Sequence, residues 1–204
     1  MRIAEMTKRL ACASPRLEAR IAGVLYFLIF IAAPAGASTA TPAKIIFTLT
    51  CDTSVALIFY HLFKLVNERL SFLAAFFRLV LVAIMAVNSL NYFGLLDLLR
   101  GAHSATAFNT GYSIALVPFG VHCFLIGYLV FKSTFLPRFL GVLMALAGLA
   151  YLICVWPPLA NRIFFPHIAI PGILGEGSLT LWLIIIGVNA QRWTEQAFAK
   201  EAAH

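Results

Sequence analysis

The chain has 204 residues, of which 62% are hydrophobic and 11% charged, with a mean hydropathy of +0.93. A soluble domain carries roughly 25% charged residues, so these few cannot cover a water-facing surface, and the length suits one helical bundle without a further soluble domain. The net charge of +7 and pI near 9.5 do not point to nucleic acid, because the basic residues sit at the ends of apolar runs and form no single patch.

Six apolar runs follow one another, at about 21–40, 43–63, 71–98, 112–131, 139–155 and 168–188. Each is close to the ~20 residues that take a helix across ~30 Å of hydrocarbon. They lack two-residue alternation, so they read as helices that satisfy their own backbone. The expectation is an all-α polytopic membrane helix bundle with about six transmembrane helices, forming a single domain over residues 1–204.

In the first run, Ser14 and Pro15 suit a helix N-cap and first position. Basic residues, the apolar stretch 21–33 and the small residues Ala35-Gly36-Ala37 also have the form of a secretory signal. Small residues continue to Ala40, so the run is read as a retained span. The second run contains Asp52 and the third Arg78; they are joined by the short 64–70 connection. A charge at the bilayer centre costs on the order of 2.5–3.5 kcal/mol on insertion scales, so each should face the bundle interior and find a partner. These two are the expected ion pair, and they either fix helix register or form a charge-compensated ion or proton site. Asn88 and Asn91 are three apart on one face of the third run.

The fourth run has Pro118 four residues before His122, which predicts a kink near the histidine. A lone histidine in such a helix is ordinarily an interhelical hydrogen bonder. In the fifth run Gly141, Ala145 and Gly148 make a small-residue stripe suited to close packing. Trp156 and Trp193 are expected at the membrane interfaces, and Pro157-Pro158 ends the fifth helix. Glu176 in the sixth run sits within Pro171-Gly172-Ile173-Leu174-Gly175-Glu176-Gly177-Ser178, where glycines allow close backbone approach. Its structural role would be a protonated or hydrogen-bonded carboxyl joining helix six to helix three through Asn88 or Asn91; its functional role would be proton exchange.

Arg2, Lys8, Arg9, Arg16, Arg20, Lys64, Arg69, Lys132, Arg138, Arg192 and Lys200 fall on one side of this topology, against Lys44, Arg100 and Arg162 on the other. Eleven against three puts both ends in the cytoplasm and the chain in the cell inner membrane.

Chemical templates are sparse. Cys12, Cys51, Cys123 and Cys154 have neither C-x-x-C nor metal-site spacing. There is no G-x-S-x-G, no H-E-x-x-H and no phosphate-binding glycine loop. Asp52, His122 and Glu176 offer one imidazole and two carboxylates, but nothing in their spacing requires a metal. No cofactor and no catalytic residue is assigned. The candidate site is the buried polar cluster Asp52, Arg78, Asn88, His122 and Glu176.

One group of segments goes further: Leu136-Pro137-Arg138-Phe139-Leu140-Gly141-Val142-Leu143 running into Ala147-Gly148-Leu149-Ala150-Tyr151-Leu152; Cys51-Asp52; Ala74-Ala75-Phe76-Phe77-Arg78-Leu79-Val80; Val87-Asn88; Gly120-Val121-His122-Cys123; and Gly175-Glu176 before Leu179-Thr180-Leu181-Trp182-Leu183. Together they resemble a family of uncharacterised bacterial multi-pass membrane proteins, domain of unknown function 4386 (DUF4386). Typical members are longer between the first two helices. The resemblance supports the topology and the site residues, and implies no activity.

Three readings of function stay open. The chain is a small transporter or channel-like protein, alone or as a homo-oligomer, whose cluster lines a polar path for a small-molecule or ion ligand. Or it is an accessory membrane protein whose polar residues only lock the packing. Or it is a membrane-embedded enzyme acting on a lipid or quinone, with His122 or Glu176 as acid or base. In each, the lipid bilayer is the partner.

Overall fold

The computed structural model describes residues 14–32, 41–92, 105–155 and 170–202. Among these there are seven helices and no strand: α1 Pro15–Ala32, α2 Pro42–Phe63, α3 Glu68–Tyr92, α4 Ala105–Lys132, α5 Arg138–Cys154, α6 Ile170–Ile185 and α7 Ala190–Ala202. Three stretches are long and apolar enough to cross a membrane alone: Pro42–Phe63, Glu68–Leu90 and Thr110–Lys132. Ile170–Ile185 with Ala190–Lys200 would be a fourth, bent by 102° at its break. α1 carries Arg16, Glu18 and Arg20 in its first turns, and α5 and α6 have only 17 and 16 residues. The signal-like 35–37, Asn91's side chain, Trp156-Pro157-Pro158, Cys12 and the side chain of Cys154 lie outside the described residues.

Local chemistry explains the helix ends. α1 starts at Pro15, as the Ser14-Pro15 pair implies. Thr41 caps α2 by accepting from the Lys44 N–H at 3.3 Å, with Pro42 at the first helical position. Asn67 does the same for α3, accepting from Leu70 N–H at 3.0 Å. Inside α2, the hydroxyls of Thr48, Thr50, Thr53 and Ser54 each donate to the carbonyl four residues back. They therefore ask nothing of an apolar environment.

Each of α1 to α5 packs on the next in sequence, and α6 closes the ring onto α1. The six form an up-and-down ring with the core on its axis. Residues such as Tyr26, Val55, Phe59, Ile126, Met144 and Leu183 are buried there, whereas Ile31, Ile46, Phe72 and Ile185 on the outside are each more than 60% exposed. An apolar belt around a polar centre is the arrangement a bilayer requires. The small-residue stripe of α5 meets matching glycines on α4: a methyl on Gly127 would lie 2.7 Å from the Gly141 carbonyl, and one on Gly120 would lie 2.9 Å from that of Gly148. α4 runs unbroken through Pro118.

The last helix departs from expectation. Gly187 takes φ +74°, where a side chain is disfavoured, and its N–H donates to Trp182 O at 3.0 Å. The chain thus leaves α6 sharply, and α7 folds against the bundle end. Trp193 is 3% exposed, with its indole N–H donating to Leu62 O at 3.2 Å. It is a packing residue of the bundle end instead of the interfacial anchor that its position suggested, because the turn at Gly187 brings it inward.

Candidate functional site

Each of the six ring helices sends one side chain to a single connected group: Tyr26, Asp52, Arg78, His122, Tyr151 and Glu176. Arg78, on α3, is 0% exposed. Its Nε and Nη2 both donate to the same oxygen of Asp52, Oδ1, at 3.0 and 2.7 Å. The expected ion pair is present. Its Nη1 donates to His122 Nε2 at 3.1 Å. The guanidinium plane lies 4.4 Å from the Tyr26 ring centre and 5.6 Å from that of Phe119, a cation–π arrangement that covers the charge.

The partners of His122 assign its state. Nδ1 lies 2.8 Å from Ala74 O, which can only accept, so Nδ1 carries a proton. Nε2 faces a guanidinium N–H, which can only donate, so Nε2 accepts. His122 is thus a neutral imidazole with a fixed tautomer. Its ring stacks between Phe59 at 6.4 Å and Phe119 at 6.0 Å. With 0% exposure and both nitrogens engaged, it is a structural hydrogen bonder.

Glu176, 3% exposed on α6, has partners the sequence did not indicate. Tyr26 on α1 donates to Oε2 at 2.8 Å, and Tyr151 on α5 donates to Oε1. The phenols belong to α1 and α5, the two ring neighbours of α6. Gly172, one turn before Glu176, makes the second bond sterically feasible, since a methyl there would collide with the Tyr151 hydroxyl. Among the described residues Glu176 is bonded by these two phenols and not by the expected Asn88. Asn88 is 3% exposed and donates to Phe108 O on α4 at 2.9 Å, over the open face of Gly111. The reason is geometric: α3 packs on α2 and α4, across the ring from α6. Asn88 therefore belongs to the α3–α4 contact.

Tyr26 and Tyr151 carried one signal, a phenol hydroxyl inside an apolar run, which needs a partner when buried. Among the described residues no three His, Cys, Asp or Glu side chains converge as a metal would need.

The cluster, His122 excepted, forms the floor of a cavity of about 190 Å³. Its walls come from one half of the ring: the end of α1 (Ile29, Phe30), the start of α2 (Ile45, Leu49), the later part of α3 (Met85) and the start of α4 (Tyr112). Toward the other end, the space is filled by the aromatic core of Phe59, Phe63 and Phe135. Two carboxyls and one guanidinium make the floor, so its groups hold one more acid than base.

A protein-family model described as a domain of unknown function, DUF4386, matches residues 43–187, which include four of the six cluster helices whole and Glu176 with Gly172. An uncharacterised protein of Archaeoglobus fulgidus is 32% identical over 136 residues, covering 67% of this chain and 76% of that protein. No solved structure matches the chain. With the family model covering more than half of its length, the chain belongs to the DUF4386 family.

Proposed function

We propose that this membrane protein is a small proton- or ion-linked transporter of the inner membrane, with six spans and both ends in the cytoplasm, in which Glu176 is the exchanging group. The observation that supports this most is the unequal pairing of the two carboxyls on the cavity floor. Among the described residues, Asp52 is held by a fully buried guanidinium, whereas Glu176 is held by phenols alone. The charge of an ionised Glu176 would be offset by a proton or a small cation from the cavity.

Protonation would also be coupled to geometry. An ionised Glu176 accepts from both phenols at once, as the distances describe. A proton on either oxygen becomes a donor, and the phenol facing it must turn and accept or leave. The aromatic packing beneath the floor favours a gated carrier over an open channel. The Arg78–Asp52–His122 half, by contrast, suits the structural reading: every strong donor of the guanidinium that is described serves another helix of the ring.

The test compares wild type with Glu176→Gln in liposomes loaded with a pH-sensitive dye, under an imposed inside-negative potential. Proton uptake above that of protein-free vesicles, lost in Glu176→Gln at an unchanged melting temperature, is expected. Wild-type uptake no greater than in empty vesicles, together with a lower melting temperature of the variant, would overturn the reading in favour of a purely structural cluster.

A further inference from the structure

Asp52 is bonded on one side only. Both Arg78 donors go to Oδ1, and Oδ2 accepts no hydrogen bond among the described residues. The residue is 6% exposed, and it lines the cavity. A carboxylate oxygen that faces a cavity is stabilised by a donor entering that cavity. Oδ2 is thus the point on the floor at which a ligand's donor would be received.

The nature of that donor follows from charge and access. The guanidinium is 0% exposed; three of its five N–H groups serve Asp52 and His122, and the rings of Tyr26 and Phe119 cover it. An anion entering the cavity would meet carboxyl oxygens and no accessible cation. A cation would meet Asp52 Oδ2 and, when ionised, Glu176. His122 adds no charge, since its partners fix it as neutral. The walls are the kind that receive an organic cation: Phe30, Tyr112, Phe119 and Tyr151 offer ring faces or edges, and Met85 and Leu49 offer apolar surface. The volume of about 190 Å³ is that of about six water molecules and below the roughly 300 Å³ at which drug-sized pockets begin. The occupant is therefore small.

We infer that the cavity binds a small primary or secondary ammonium compound with a compact apolar body, its N–H directed at Asp52 Oδ2 and its charge balancing the extra carboxyl. This rests on the cavity being a ligand site, as in the proposed transport function, and it names the class of ligand. Binding is a salt-bridge and hydrogen-bond event with no covalent step.

Benzylammonium, benzyl alcohol and benzoate have nearly the same shape and differ in charge, and they serve as probes. Calorimetric titration of each into the full-length protein in detergent should show benzylammonium binding at least about tenfold more tightly than benzyl alcohol, as expected for a hydrogen bond to a charged group. Benzoate should bind weakest. Glu176→Gln should reduce the preference for the ammonium over the alcohol. Should that variant fail to fold, the three-probe comparison on wild type decides alone. Equal affinity for the ammonium and the alcohol, a preference for benzoate, or no binding by any of the three would overturn the inference. Equilibrium binding is independent of flux. Ammonium binding without proton movement would sink the transport reading alone, whereas proton movement without ammonium selectivity would sink this one alone.

Discussion

Removing the Asp52 carboxylate asks how much the paired half of the cluster contributes to holding the ring closed. In Asp52→Ala, Arg78 loses the two bonds at 3.0 and 2.7 Å and keeps one, at 3.1 Å, to a neutral imidazole. The ring of Tyr26, 4.4 Å away, still covers one face. Stranding a buried cation in this way costs about 3–5 kcal/mol. Replacing Arg78 by Met as well removes the stranded charge and fills its volume with an apolar chain, so the double variant should recover roughly half of that loss or more. Unfolding by a graded SDS titration in mixed micelles gives the four free energies of the cycle. A double variant whose loss equals the sum of the two single losses would mean that the carboxylate and the guanidinium do not interact, and the described pair would be wrong.

Three further outcomes are expected. Gly172→Ala should cost about 1–3 kcal/mol in the same titration, as overpacking does, and less in a Tyr151→Phe background, because the methyl first meets the phenol hydroxyl; an equal cost in both backgrounds would refute the contact. Thr180 Oγ1 is a buried side-chain oxygen without a partner among the described residues, so Thr180→Val should leave the melting temperature unchanged or raise it; a clear drop would mean that the hydroxyl is bonded. For the proposed topology, reporter fusions after Leu98 and after His204 should read periplasmic and cytoplasmic respectively, and the reverse of either would remove the six-span arrangement with both ends inside.

How far the sequence led can be followed residue by residue. Asp52 and Arg78 were legible as a pair because each is costly in an apolar run, and a short connection joins their helices. The α5 stripe was legible because small residues at helical spacing have few other uses, and the structure supplies its partners, Gly120 and Gly127. Glu176 was legible as buried and as hydrogen-bonded, but its partners were not. Depth along the membrane can be counted from sequence, whereas position around the ring cannot, so Asn88 at suitable depth looked like a partner although α3 lies across the ring. Tyrosines are ambiguous by nature, since the same side chain serves as interfacial belt, packing ring or hydrogen-bond donor. Trp193 was misplaced for a related reason: its place past an apolar run suggests the interface only when the chain continues outward, and one glycine at φ +74° turns it back.

Tyr26 joins the two halves of the cluster. Its ring covers the guanidinium of Arg78 and its hydroxyl donates to Glu176, so the paired and the phenol-held carboxyl regions touch directly through it. The ring order gives this position its meaning, because α1 is at once the sequence neighbour of α2, which carries Asp52, and the closing partner of α6, which carries Glu176. A change in the protonation of Glu176 would therefore act first on the α1–α6 and α5–α6 contacts, where the phenol bonds cross. The α3–α2 and α3–α4 contacts are tied separately, by Arg78 to Asp52 and to His122. Glycines bring the backbone close on both sides of α5, with Gly120 and Gly127 of α4 against Gly148 and Gly141, and Gly175 of α6 against Leu143 O. The same ring thus combines a charge-locked side with one helix, α6, whose bonds to α1 and α5 within the cluster run through a single carboxyl while its C-terminal end is held separately by Arg20 donating to Ile185 O at 3.1 Å, and the proposed transport function would use that difference.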